Sequence, residues 1–258
     1  MVSLLKQLLK MTGFIVQART GSTRLPNKIL SPFYKKECIL DIMLSQLCTH
    51  FPNVPLVLAT STSSADASLE EFTERYKGIE FFRGSENDVL ERSMKAAQAF
   101  GIDNIIRVCS DNPFLQTQFV QDLIDADADA DYISYQVDNL PTIRTHYGLF
   151  AERVSLSALE KAYAQKPTAF YREHVTNFIY GHPELFSLHW LEIGNQLKGL
   201  EDLRLTIDDP QDFETAQKIY SDLYKGDKQI LLSDLKPYLA ERPDELRKMN
   251  ENKLKYSK

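Results

Sequence analysis

The sequence predicts an α/β protein with a mostly parallel sheet and helices on both faces, and three observations carry that expectation. Short β-branched runs alternate with helical patterns through the first half, as in successive βαβ units. The 258-residue chain is 43% hydrophobic and 26% charged, a composition that can bury a globular core. It contains no uncharged apolar stretch of about 18 residues, so no membrane span is expected.

The elements follow in order. Residues 4–11 form an apolar run broken by Lys6 and Lys10, with no small-residue cleavage site after it. This reads as a short amphipathic helix in an N-terminal segment 1–12, not as a signal peptide. Strands are expected at 13–18, 55–59, 79–82 and 104–109, with helices at 39–48, 65–76 and 87–100 between them. That order places ligands at the carboxyl ends of the strands. The second half is less regular, with strands expected at 131–135, 147–153, 186–192 and 203–206 and helices at 155–163, 171–181 and 210–220. Pro141 and Tyr147 mark 139–147 as a loop or β-arm leaving the sheet. These elements give a main domain over 13–222, with a helical, charged tail at 223–258. Residues 248–258 are polar enough to fray.

Charge is unevenly spread. Lys6, Lys10, Arg19, Arg24, Lys28, Lys35 and Lys36 give the first 36 residues +7 with no acid, and a total of -6 leaves the other 222 at -13. An acidic body argues against generic nucleic-acid binding, while a basic segment on it suggests a local anion site. Cys38, Cys48 and Cys109 have no CxxC spacing or paired His, which fits a reducing cytoplasm and neither a disulfide frame nor a zinc site. Asp125, Asp127, Asp129 and Asp131 alternate without the glycine turn and bidentate Glu of a calcium loop, so they read as a solvated helix end.

Directly after the first expected strand, residues 17–28 hold Arg19, Arg24 and Lys28, a single glycine, Gly21, and no acid. Arg offers phosphate a planar fork and Lys a point charge, and Gly21 permits close backbone approach. The string is neither a Walker A loop nor a GxGxxG turn. Composition alone leaves a solvated basic loop as an equal alternative.

The full string, Ile15-Val16-Gln17-Ala18-Arg19-Thr20-Gly21-Ser22-Thr23-Arg24-Leu25-Pro26-Asn27-Lys28, resembles the nucleotide-binding signature of cytidylyltransferases that activate sugar acids. It is most similar to the SpsF-like branch, whose relatives include octulosonate and N-acylneuraminate cytidylyltransferases. Four further motifs match in order: Arg83–Arg92, Arg107–Pro113, Glu173-His174-Val175-Thr176 and Arg204–Pro210. The resemblance implies a Rossmann-like nucleotidyltransferase, a homodimer formed through the region after residue 135, with 135–195 as an acceptor-binding and dimerisation insertion. It implies CTP and an anionic sugar-like acceptor as partners and Mg²⁺ as cofactor, held by Asp111 and Asp208. By the same resemblance Gln17, Ala18, Arg19, Gly21, Ser22, Arg24, Lys28, Arg83, Ser85 and Arg107 bind the nucleotide, and Arg19, Lys28, Asp111 and Asp208 serve catalysis. Arg144, His146, Glu152, Glu173 and His174 fall where the family builds its acceptor pocket, although Phe150 stands where many SpsF-like members carry Asp.

Several residues also have plainer roles. Asp209, before Pro210, reads as a helix N-cap, which leaves Asp208 as the ligand. Asp111 could be a turn residue, Asp88 and Arg92 an i,i+4 ion pair, and His174 a half-buried packing residue. A sugar-1-phosphate nucleotidyltransferase and a catalytically silent nucleotide-binding homologue remain as alternative readings.

Overall fold

The computed structural model describes residues 10–22, 24–226 and 229–256. The helix expected at 4–11 lies, up to residue 9, outside them. Seven strands form the main path of one sheet: β1 (Thr12–Gln17), β4 (Leu56–Ser61), β5 (Ile79–Gly84), β6 (Asn104–Cys109), β7 (Tyr132–Val137), β9 (Glu152–Ser155) and β10 (Leu188–Glu192). Their order is β10-β7-β9-β6-β1-β4-β5, with β8 (Leu140–Pro141) paired to β7. A small hairpin of β2 (Pro32–Tyr34) and β3 (Glu37–Cys38) stands apart. β9 runs antiparallel to both neighbours, and the other six strands of the path run parallel to one another.

Alternation along β1 decides the layers. Phe14 and Val16 pack on one face with α1 (Ile39–His50), α4 (Thr117–Asp125) and α8 (Pro210–Leu223), and Ile15 packs on the other with α3 (Val89–Ala99) and α5 (Leu156–Ala164). All three residues are fully buried, each stabilising by about 1.5–3 kcal/mol, so β1 is fixed in register from both sides. The carboxyl ends of β1, β4, β5 and β6 therefore meet along one edge.

Departures from the expected elements have local causes. The helix expected at 65–76 divides into a 3₁₀ segment (Ser64–Glu70) and α2 (Glu71–Arg75), because Asp66 turns inward to Thr20 and Ser61. The helix expected at 171–181 divides into α6 (Ala169–Glu173) and α7 (Asn177–Tyr180) around Thr176, whose hydroxyl donates to buried Glu152. The segment 139–147 leaves the sheet only after a short β8, paired to β7 at Leu140 and Pro141. Asp138 and Asn139, both at positive φ, make a two-residue turn between β7 and β8, and a 3₁₀ turn (Thr142–Arg144) then brings the chain back over the site.

Residues 203–206 form no strand; the N–H groups of Leu205 and Thr206 donate to the His146 carbonyl. That close approach requires Gly148, at φ +66, where a Cβ would meet the Leu205 carbonyl carbon at 2.7 Å. The tail forms α9 (Leu232–Ala240) and α10 (Pro243–Lys255). Within the stretch expected to fray, 248–258, α10 packs Met249 and Asn252 to 3% and 1% exposure, and residues 257–258 lie outside the described residues.

Candidate active site

The loop after β1 is anchored by a carboxylate with no counterpart among the sequence expectations. The backbone N–H and hydroxyl of Thr20 both donate to Asp66 Oδ1 at 2.7 Å, and the Ser61 hydroxyl donates to Oδ2 at 2.5 Å. Burial pushes the Asp66 pKa up, but these donors more than offset it, and it lies below the usual carboxylate value. With Thr20 fixed, Gly21 is exposed, and a Cβ there would meet nothing within 4 Å. The fold does not demand glycine at this point, so its effect is to leave backbone open.

The three loop cations reach different carboxylates. Arg19 lies 3.4 Å from Glu173, both about half exposed. Arg24 donates to Asp208 Oδ1 at 3.0 Å. Lys28 donates to Asp111 Oδ2 at 2.6 Å and to the Ile207 carbonyl at 2.5 Å. One ammonium thus spans the two segments that carry Asp111 and Asp208, despite their separation in sequence. Both Asp side chains keep over a quarter of their surface exposed and line one cavity of about 910 Å³.

Arg24, Arg144, His146, Phe150, Phe170 and His174 line the same cavity. Arg144 is exposed and lines the cavity without an ion-pair partner among the described residues. His146 sits with Nδ1 2.7 Å from an Arg204 nitrogen, so Nδ1 accepts; burial and the Arg204 charge lower its pKa. Phe150 stacks on Phe119 with ring centroids 4.8 Å apart. Arg107 and Glu152 also border the cavity but are committed to each other at 2.5 Å. Arg107 donates as well to Gln17 Oε1 at 3.1 Å, and Gln17 donates to the Ser93 hydroxyl. Tyr132 and Thr176 donate to the other Glu152 oxygen.

Arg83 donates to the carbonyls of Ser61 and Ser63, and the Ser85 hydroxyl accepts from the Asp88 N–H. The expected Asp88–Arg92 ion pair is not formed. Asp88 caps α3 through the Glu91 N–H and pairs with Arg172 at 3.2 Å. Arg92 is 2% exposed and donates to the Ser85 carbonyl; burial and nearby Arg19 push its pKa down to about 10.

Comparison with known proteins decides what this edge belongs to. A family model described as cytidylyltransferase matches residues 13–242. The chain belongs to the cytidylyltransferase family. It is 34% identical over 212 residues to the spore coat polysaccharide biosynthesis protein SpsF of Bacillus subtilis, covering 80% of this chain and 85% of that one. A cytidylyltransferase from Leptospira borgpetersenii has 28% identity and a TM-score of 0.79, covering 92% of this chain and 97% of the other. The fold is shared with a CMP:2-keto-3-deoxy-manno-octonic acid synthetase solved with CTP, at TM-score 0.61, 12% identity and coverage of 83% and 99%. The protein is therefore a nucleotidyltransferase of Rossmann-like fold.

Behind Asp208 lies a further cluster that sequence reasoning missed. Arg204, its side chain fully buried, donates to both oxygens of Asp212 at 2.7 Å and to Asp208 Oδ2 at 3.0 Å. Arg204 was visible only as the first residue of a motif, and no expectation for the site included Asp212. Asp209 caps α8 by accepting from the Asp212 N–H, as its Asp-Pro sequence predicts.

Asp111 and Asp208 fit a divalent cation. Among the described residues no three or more His, Cys, Asp or Glu gather to hold a metal. Two hard, partly exposed carboxylates on one cavity suit an ion that completes its shell with water and phosphate oxygens. No helix of the described residues is long and apolar enough to cross a membrane.

Proposed function

We propose that this protein transfers CMP from CTP to an acidic, sugar-like acceptor and releases pyrophosphate. The observation that carries this reading is the meeting of Arg24 and Lys28 with Asp208 and Asp111 beside one cavity in a cytidylyltransferase. Arg19, Arg24 and Lys28 bind the triphosphate, with Gly21 offering open backbone beside it and Ser22, whose N–H donates to the Thr20 carbonyl, holding the turn. Gln17, Ala18, Arg83, Ser85 and Arg107 shape the wall for the nucleoside. Arg144, His146 and His174 face the acceptor, whose carboxylate pairs with the exposed Arg144 guanidinium while Phe150 and Phe170 cover its ring. Glu173 orients Arg19, and Glu152 holds Arg107 from beneath.

The ionised acceptor oxygen, its proton released to solvent, attacks the α-phosphorus in line, forming one P–O bond as the bond to the bridging oxygen breaks and pyrophosphate leaves. Positioning and charge neutralisation supply most of the rate, and no protein nucleophile is required. When bound, Mg²⁺ on Asp111 and Asp208 would supply charge neutralisation at the α-phosphate. The proposal extends to a homodimer in the cytoplasm, with 13–222 as the catalytic domain.

Pyrophosphate release is the test, using CTP, Mg²⁺ and separate panels of keto-sugar acids and sugar 1-phosphates. Turnover with an acid and none with the phosphates is expected. Turnover only with sugar 1-phosphates would replace the acceptor assignment, and none with any acceptor would favour a silent homologue.

A further inference from the structure

The C-terminal helix α10 begins where the family match ends, at residue 242, yet it reaches the middle of the site. Met249 and Asn252, at i and i+3, share one face of the helix, and Tyr256 caps its C-terminus. Met249 is buried and fixes the helix on the body. Asn252, 1% exposed, donates to Asp212 Oδ1 at 2.7 Å and to both Asp209 oxygens at 3.2 and 3.3 Å.

Tyr256 lines the cavity beside Asp111 and Asp208, and its hydroxyl donates to Asp209 Oδ2 at 3.0 Å. Its ring lies 4.7 Å from the Arg24 guanidinium carbon and 5.2 Å from that of Arg204. These are the two cations that hold the oxygens of Asp208.

We propose that α10 is a working part of the nucleotide site, in which Tyr256 and Asn252 are positioning residues for Arg24 and for the Arg204–Asp208 pair. The physical need is specific to Arg24. Its side chain is 48% exposed, on a long flexible stem, and an unheld guanidinium must be ordered each time a triphosphate binds. A ring face beneath the cation confines it in advance without neutralising it. Asn252 does the corresponding work one layer down. By donating to Asp212 and Asp209, it sets the carboxylate that clamps Arg204, and hence the Asp208 oxygen that Arg204 holds. The idea rests on the CTP reading above, and its test separates the two.

CTP affinity is measured by titration calorimetry, without metal and with Mg²⁺, on the full chain and on Tyr256→Ala, Tyr256→Phe, Arg24→Ala and the Arg24→Ala/Tyr256→Ala double variant. Tyr256→Ala is expected to weaken CTP about tenfold, as for loss of one cation–π contact. The KM for CTP rises with it, while kcat changes by less than about threefold. Tyr256→Phe keeps the ring and recovers most of the loss. If Tyr256 acts through Arg24, the double variant binds no more weakly than Arg24→Ala.

Additive losses, or CTP binding by Tyr256→Ala equal to that of the unmutated chain, would overturn the role of α10 and leave the CTP reading intact. Failure of the unmutated chain to bind CTP would overturn both.

Discussion

Two cation–carboxylate clusters lie about the same cavity, and they differ in what they leave open. At the centre of the sheet, Glu152 is 2% exposed at its side chain and has both oxygens occupied, by Arg107 on one side and by Tyr132 and Thr176 on the other. At the sheet edge, Asp111 pairs with Lys28, and Asp208 with Arg24 and with buried Arg204, yet the two carboxylates retain 28% and 27% exposure. A saturated buried pair can only position its neighbours, because displacing either member strands a charge in the interior. Partly exposed pairs cost less to exchange for a ligand, least at Arg24, 48% exposed against 12% for Lys28. On the proposed function, chemistry belongs to the edge and rigidity to the centre, although both are built from the same residue types.

Removing one edge carboxylate gives the sharpest contrast. Asp111→Asn is expected to lower nucleotidyl transfer by at least about a thousandfold, since several kcal/mol of charge stabilisation is lost, with a small change in melting temperature. Steady-state kinetics beside thermal melts check this, and near-normal turnover would remove Asp111 from the chemistry. In the centre the balance reverses. Glu152→Gln should cost about 3–5 kcal/mol of stability in urea unfolding by leaving Arg107 unpaired. A loss below about 1 kcal/mol would show that the central pair is as exchangeable as the edge pairs.

Arg19→Ala tests the edge more gently. Its pair with Glu173 is half exposed, so unfolding free energy should move by no more than about 0.5 kcal/mol while CTP binds about tenfold more weakly. Unchanged CTP affinity would detach Arg19 from the triphosphate. Asp209→Ala, the loss of a helix cap, should cost about 1 kcal/mol at pH 7. Burial pushes the Asp209 pKa up, but the Asp212 N–H, Asn252 and Tyr256 bring it below its ordinary value. Its contribution is thus present above about pH 3.9 and lost as pH falls through the lower folded value. The difference between variant and parent should shrink from pH 7 to pH 3.

The nucleotide half was legible because its elements are local and periodic. The strand expected at 104–109 is observed at the same residues, and that at 13–18 is displaced by one. Asp111 and Asp208 could be singled out because a motif surrounds each. Asp66 could not, since its partner Thr20 is 46 residues away and no local pattern links them. The strand expected at 147–153 was misplaced for a similar reason: Gly148 commits that stretch to a close approach with residues 205–206, a contact that leaves no period in the sequence. The polar tail was read as fraying because most of its helix is solvated. Met249 and Asn252, only two residues among thirteen, make it part of the body.

Nucleotide choice tests the central claim most directly. Titration calorimetry of the unmutated chain with CTP, UTP, ATP and GTP at equal Mg²⁺ should show CTP binding at least about tenfold more tightly than any other, a difference of 1.4 kcal/mol. Equal affinities, or a preference for a purine nucleotide, would contradict cytidylyl transfer at this site.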